Sequence, residues 1–261
     1  MLNSYFKTNE KDMNPTMLLI VCPLLFLAGL VDAIGGGGGL ISLPAYLLAG
    51  LPIHSSIATN KLSSTCGTTL TTMRFIRHGL VDLKLAVPSV LCAIVGSSLG
   101  AQLSLRMSEQ VMKNVLFIVL PLAAFIVLNK KLFQDHADIT PDSKRSYLVA
   151  GISAFLIGIY DGFYGPGTGT FLIIAFTVFA KMNLSQANAQ AKVINLTTNL
   201  TSLTIFLMNG QVVIWLGLAA AACNMAGNYI GSGLAMEKGA KITRPVILIV
   251  LGLLFVKILT S

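Results

Sequence analysis

Two aspartates 129 residues apart, Asp32 and Asp161, sit deep inside apolar runs, and each opens the pattern Asp-x3-Gly-x-Gly: DAIGGGG in the first half of the chain and DGFYGPG in the second. A full membrane span takes about 20 apolar residues. A carboxylate at its centre costs on the order of 2.5–3.5 kcal/mol on insertion scales. The glycines that follow interrupt the helix at the same depth, because glycine accepts backbone conformations that other residues avoid. Such a break is tolerated only where the backbone is buried in protein or lines a wet cavity. A chain that does this twice is constrained to an all-α polytopic membrane fold with two broken helices.

Composition narrows the classes further. Charged residues are 11% and hydrophobic residues 54% of the 261, against about 25% charged in a soluble domain. That excludes a soluble enzyme, a nucleic-acid binder and a disordered chain. The net charge of +8 then reads as topology-setting Lys and Arg in short loops. Cys22, Cys66, Cys92 and Cys223 lie in apolar stretches without Cys-x2-Cys spacing, which supports neither a disulfide framework nor a zinc site. No cofactor, metal or catalytic residue is expected, and no His-x3-His pattern occurs. The expected partners are a small anionic substrate and the lipid bilayer, with no nucleic acid; a homodimer stays open.

Ten apolar segments can be marked, at about 17–34, 40–51, 57–76, 85–104, 111–129, 147–161, 169–180, 187–208, 212–234 and 244–260. The second and seventh are too short to span, and both follow a glycine break. An offset of 129 pairs Gly29 with Gly158, Asp32 with Asp161, Gly36 with Gly165 and Gly38 with Gly167. After a two-residue insertion, an offset of 131 pairs Lys61 with Lys192, Gly79 with Gly210, Cys92 with Cys223, Gly96 with Gly227 and Gly100 with Gly231. Paired charges and glycines at nearly constant offset mark an internal duplication. The division is a polar segment at 1–16, repeat 1 at 17–129, a cytoplasmic linker at 130–146 and repeat 2 at 147–261. The first apolar run lacks a small-residue cleavage site, so it reads as a retained segment.

Charge suggests that the repeats are inverted. Arg74, Arg77 and Lys84 have no basic counterpart around Gly210, whereas Lys238, Lys241 and Arg244 outnumber Arg106 and Lys113. Placing the richer groups, the linker and Lys181 in the cytoplasm leaves eleven basic loop residues inside against five outside. Equivalent loops then face opposite sides, the pattern of an inverted-repeat transporter in the inner membrane.

The candidate site follows from the breaks. Gly36, Gly37 and Gly38 in the first break, with Gly165, Gly167 and Thr168 in the second, lie where two half-helices start. Free N–H groups and the positive dipole end there suit an anion. The third segments, SSIATNKLSSTCGTTLTT and SQANAQAKVINLTTNLTS, offer one face of Asn60, Lys61, Ser64, Thr65 and Thr68 and another of Asn188, Lys192, Asn195 and Asn199. Donors around a cation describe an oxyanion pocket. Three other roles remain open for the lysines and their neighbours. The lysines can snorkel to the interface, the hydroxyls can bond their own helix, or the lysines can pair with Asp32 and Asp161. Those two carboxylates either exchange protons or cap the broken helices. Gly96-x3-Gly100 and Gly227-x3-Gly231 are expected to serve close helix packing. His54, His78 and His136 read as solvated loop histidines.

The string GLVDAIGGGGGLISLPAYLLAGLPIHSSIATNK, with its echo GIYDGFYGPGTGTFLIIAF and NAQAKVIN, resembles the TauE/SafE family of membrane transporters over about residues 17–258. The resemblance implies movement of small sulfur-containing anions, such as sulfite, thiosulfate or an organosulfonate, across the cytoplasmic membrane. It carries over to Asp32, the glycines at 35–39, Asn60, Lys61, Asp161, Gly165, Gly167 and Lys192. A passive anion channel, or a transporter of another small organic anion, is the alternative. No residue tells which anion is used.

Overall fold

The computed structural model describes residues 15–112, 114, 143–239, 241, 242, 245 and 246. The expected segments at 111–129 and 244–260, most of the linker and His136 lie largely or wholly outside them. Among the described residues the chain is all-helical, with no strand. The first half contributes α1 (Pro15–Gly35), α2 (Gly39–Leu48), α3 (Ile53–Arg77) and α4 (Leu83–Arg106). The second contributes α5 (Ser143–Phe163), α6 (Thr168–Val178), α7 (Leu184–Met208) and α8 (Ile214–Lys238).

Local chemistry sets these boundaries. Asp82 caps α4 by accepting from the backbone N–H groups of Lys84 (2.9 Å) and Leu85 (3.3 Å), and Asn183 caps α7 by accepting from that of Gln186 (2.9 Å). Such caps satisfy donors that a helix start leaves without partners. The helices α3 and α7 end in matching turns. The Leu80 N–H returns to the Phe75 carbonyl (3.1 Å) and the Gln211 N–H to the Phe206 carbonyl (3.0 Å). The short helices α2 and α6 have 10 and 11 residues, so each reaches only about 15 Å, half of a hydrocarbon core.

The largest helix–helix interfaces join the halves crosswise, α4 along α5 and α8 along α1. Glycine makes both possible. A side chain on Gly96 or Gly100 would overlap the Phe155 or Ile159 carbonyl oxygen, and one on Gly227 or Gly231 would overlap that of Phe26 or Leu30. Phe155 and Ile159 stand 129 residues beyond Phe26 and Leu30, so equivalent glycines press on equivalent carbonyls. The small-xxx-small pairs thus serve packing within the chain. Gly96-Ser97-Ser98-Leu99-Gly100 also fits Gly-x-Ser-x-Gly. Here it lies inside helix α4, with its motif serine, Ser98, half-buried in mid-helix, not on the strand-to-helix turn that exposes a nucleophile.

The polarity of the molecule is inside out. Leu83, Val87, Leu91 and Leu99 form an exposed stripe on α4, with Leu148, Ile152 and Leu156 on α5. The buried side of the central helices α3 and α7 holds Asn60, Lys61, Asn188, Lys192 and Asn199. An apolar shell over a polar interior fits lipid rather than water. Three helices among the described residues, Thr16–Gly35, Leu83–Arg106 and Lys144–Phe163, are long and apolar enough to cross a membrane. His54 departs from the expectation of a solvated loop. It sits half-buried in the first turn of α3, with Nε2 3.1 Å from the carbonyl oxygens of both Ser104 and Met107, and so ties α3 to the end of α4.

Candidate functional site: two crossed ion pairs at two helix breaks

The first break opens where α1 ends. Gly36 takes a left-handed conformation (φ +79°), with its N–H on the Asp32 carbonyl (2.8 Å), and α2 starts three residues later. In the second break Gly165 (φ +99°) and Gly167 (φ +86°) are both left-handed before α6 starts. L-side chains strain in that region. The breaks touch. A side chain on Gly36 would overlap the Gly169 backbone, and a Cβ on Gly169 would stand 2.6 Å from the Gly36 Cα.

The carbonyls freed at the ends of α1 and α5 find partners. Asn188 Nδ2 donates to the Ala33 and Ile34 carbonyls (3.1 Å each), and Thr170 Oγ1 donates to that of Gly35 (2.7 Å). At the second break Tyr160 OH donates to the Pro166 carbonyl (2.6 Å) and Thr168 Oγ1 to that of Gly165 (2.7 Å). Each first-break partner comes from the second half of the chain, whereas the second break is served locally.

Four charges meet at this crossing, paired between halves. Lys61 Nζ of α3 lies 2.8 Å from Asp161 Oδ2 of α5, and Lys192 Nζ of α7 lies 2.7 Å from Asp32 Oδ2 of α1. Both lysines are buried, so neither snorkels. Of the open readings for the lysines, ion pairing is the one found. A buried ion is costly unless it is paired and hydrogen-bonded, and the crossed arrangement pairs all four.

A polar cavity of about 20 Å³ opens between the breaks. The first break supplies Asp32, Gly36 and Gly39, and α3 supplies Asn60, Lys61 and Ser64. Asp161, Gly165, Gly167, Thr168 and Gly169 line it from the second break, and Asn195 and Asn199 from α7. Lys61 Nζ donates to Asn199 Oδ1 (3.0 Å), and Asn199 Nδ2 to Asn195 Oδ1 (3.2 Å). Starts of both half-helices, one cation and several amides thus converge on one small space, the donor chemistry an oxyanion needs.

The remaining expected site residues lie beside the cavity. Gly38 packs on α1, where a Cβ would stand 2.6 Å from the Ala28 carbonyl oxygen, and Gly37 accepts the N–H of Leu40 (3.1 Å). Thr65 Oγ1 donates to the Lys61 carbonyl of its own helix (2.6 Å). Asn188 is used at the end of α1, and Lys192 reaches the cavity only through Asp32. Gly169 lines the cavity although its motif gives it no more prominence than its neighbours. The signal for it is the contact between the two breaks, which no single-chain spacing reveals. Among the described residues no three His, Cys, Asp or Glu side chains come together as a metal cluster.

An apolar shell around a charged, amide-lined crossing of two broken helices is the architecture of a membrane protein that handles a polar solute. Comparison with known proteins makes this specific. The model of the family described as "Sulfite exporter TauE/SafE" matches residues 21–258. A "Probable membrane transporter protein ORF9" from Sinorhizobium sp. is 34% identical over 254 residues, covering 96% of this chain and 95% of that protein. A "Probable membrane transporter protein" from Haemophilus influenzae is 35% identical over 241 residues (91% and 92%). "Probable membrane transporter protein YfcA" from Escherichia coli K12 is 33% identical over 249 residues (94% and 91%). The chain belongs to the TauE/SafE family and is a membrane-embedded transporter of that type. No solved structure matches it.

Proposed function

We propose that this protein is a secondary transporter of small sulfur-containing anions, sulfite, thiosulfate or an organosulfonate, across the cytoplasmic membrane, and that it is coupled to protons. The observation that carries the reading is the pair of crossed ion pairs where the two half-helices begin. Lys61 and the helix starts attract an oxyanion, and the amides of Asn60, Asn195 and Asn199 orient it. Asp32 and Asp161 supply carboxylates that brace the breaks or exchange protons. The sulfur assignment draws on the family description.

The reading includes two inverted repeats that rock about one site. The crosswise packing of equivalent helices supports it, because a site at the interface of two such units can be exposed to either side in turn. A cavity of about 20 Å³ has room for roughly one water and none for a four-heavy-atom oxyanion. A site closed this far favours alternating access over an open pore.

Uptake of radiolabelled sulfite and thiosulfate into proteoliposomes of the purified protein tests the reading. Accumulation under an imposed proton gradient, and none for acetate, is expected. Equal flux of acetate would sink the sulfur assignment. Flux that only equilibrates would make the protein a channel.

A further inference from the structure

The two ion pairs are related by the repeat but differ in their contacts. Lys192 Nζ is hydrogen-bonded to Asp32 Oδ2 at 2.7 Å, is fully buried and is absent from the cavity lining. Lys61 lines the cavity and divides itself. Its ammonium donates to Asn199 Oδ1 at 3.0 Å and pairs with Asp161 Oδ2 at 2.8 Å. Asp161 has a second contact of its own, since the single proton of Thr168 Oγ1 is shared between its Oδ1 at 2.8 Å and the Gly165 carbonyl at 2.7 Å. When the Asp161 carboxylate leaves, Lys61 therefore keeps Asn199 as an acceptor and Asp161 keeps the Thr168 hydroxyl on Oδ1, while Oδ2 is left to take a proton.

We propose that the substrate anion takes the place of the Asp161 carboxylate on Lys61, while Lys192–Asp32 stays closed as a latch on the first break. The inference rests on the anion-transport reading above. Space requires a displacement, because the cavity holds about one water. Charge requires a second event. Two lysines and two aspartates sum to zero, so an entering monoanion such as hydrogen sulfite would leave one negative charge uncompensated in a medium of low dielectric, and a dianion such as thiosulfate would leave two. The displaced Asp161 carboxylate takes one proton from the aqueous side. An O–H bond forms on the carboxyl group, and anion and proton cross together. On the far side the anion leaves, the proton returns to water and Asp161 recloses on Lys61. One proton thus moves with each anion, so a monoanion crosses without net charge and a dianion with one net negative charge. The titratable and charged groups facing Asp161 are Lys61 from α3, Tyr160 on its own helix, Tyr164 in the following turn, and Asp32 with Lys192 across the cavity.

The test is the ratio of gradient-driven to gradient-free uptake of radiolabelled sulfite, then thiosulfate, by the full chain in proteoliposomes. Wild type is expected to show a ratio of about ten. Asp161→Asn, neutral and close in shape, brings the ratio to about one, and Asp161→Glu restores a dependence on the gradient. The double variant D32N/K192M lowers uptake but keeps the wild-type ratio. A wild-type ratio in Asp161→Asn overturns the exchange, and so does a ratio of one in the latch variant. Where Asp161→Asn does not insert, Thr168→Val carries the test, because it removes a hydroxyl partner of Asp161 and keeps all four charges. It shifts the pH of half-maximal uptake, and an unmoved pH overturns the exchange. A wild type that moves neither anion removes the sulfite and thiosulfate assignment on which the inference rests, a result distinct from all of these.

Discussion

Asp32 and Asp161 occupy equivalent places in the two halves, as do Lys61 and Lys192, yet their surroundings are not equivalent. In the first half the end of α1 is held by Asn188 and Thr170 of the other half, and Asp32 is hydrogen-bonded to a lysine sealed from the cavity. In the second half the break is held by its own Tyr160 and Thr168, and Asp161 meets a lysine that faces the cavity. Gly38 sits in the right-handed region (φ −54°) where its counterpart Gly167 is left-handed (φ +86°). The lesson is a division of labour. Duplication delivers two charge pairs that neutralise each other across the halves, and divergence of their neighbours leaves one lysine sealed from the cavity and the other facing it.

The largest effect should come where the halves touch. Gly36→Val forces a branched side chain onto the Gly169 backbone in a left-handed conformation. Purified protein should fail to elute as a monodisperse peak, and normal elution would show that the two breaks do not depend on each other. Next in size is Lys61→Ala. It leaves Asp161 buried and without its cation, which costs about 3–5 kcal/mol of stability and lowers uptake at least about a hundredfold. Thermal midpoints and initial rates read the two effects separately.

Lys192→Ala separates the pairs. It should be rescued in stability by adding Asp32→Asn, since a buried pair removed from both sides can cost little. The analogous Lys61→Ala/Asp161→Asn pair should recover its thermal midpoint but not its transport. Equal recovery of transport in both doubles would erase the comparison. A smaller effect follows for Asn199→Ala, about tenfold on uptake, because Lys61 loses its hydrogen-bond acceptor and its aim. Thr65→Val should change uptake by less than about threefold and stability by about 0.5 kcal/mol, since that hydroxyl serves only its own helix.

Much of this plan is legible in the sequence, and the reasons are physical. Glycine runs inside apolar segments announce the breaks, and the short segments after them have the lengths of α2 and α6. Repeat arithmetic identifies the four charges. It also hides how they pair, because an offset matches a residue with its equivalent, Lys61 with Lys192, and never with its partner. Partnership comes from crosswise packing, which the glycines of α4 and α8 permit but do not announce. Helical spacing places Asn188, Lys192, Asn195 and Asn199 on one face. In the fold it splits, Asn188 and Lys192 toward α1 and Asn195 and Asn199 toward the cavity, because different helices pack on successive turns of α7. The packing of His54 on the end of α4 is likewise a tertiary event with no local signal.

The central claim is that Lys61 holds the transported anion at the crossing of the breaks. Thermal unfolding of the purified protein, with increasing thiosulfate beside equal ionic strength of chloride, tests it most directly. A ligand that binds only the folded state stabilises it by mass action. The midpoint should rise with thiosulfate for wild type and stay level for Lys61→Ala. An equal rise in Lys61→Ala would place the anion elsewhere and contradict the account.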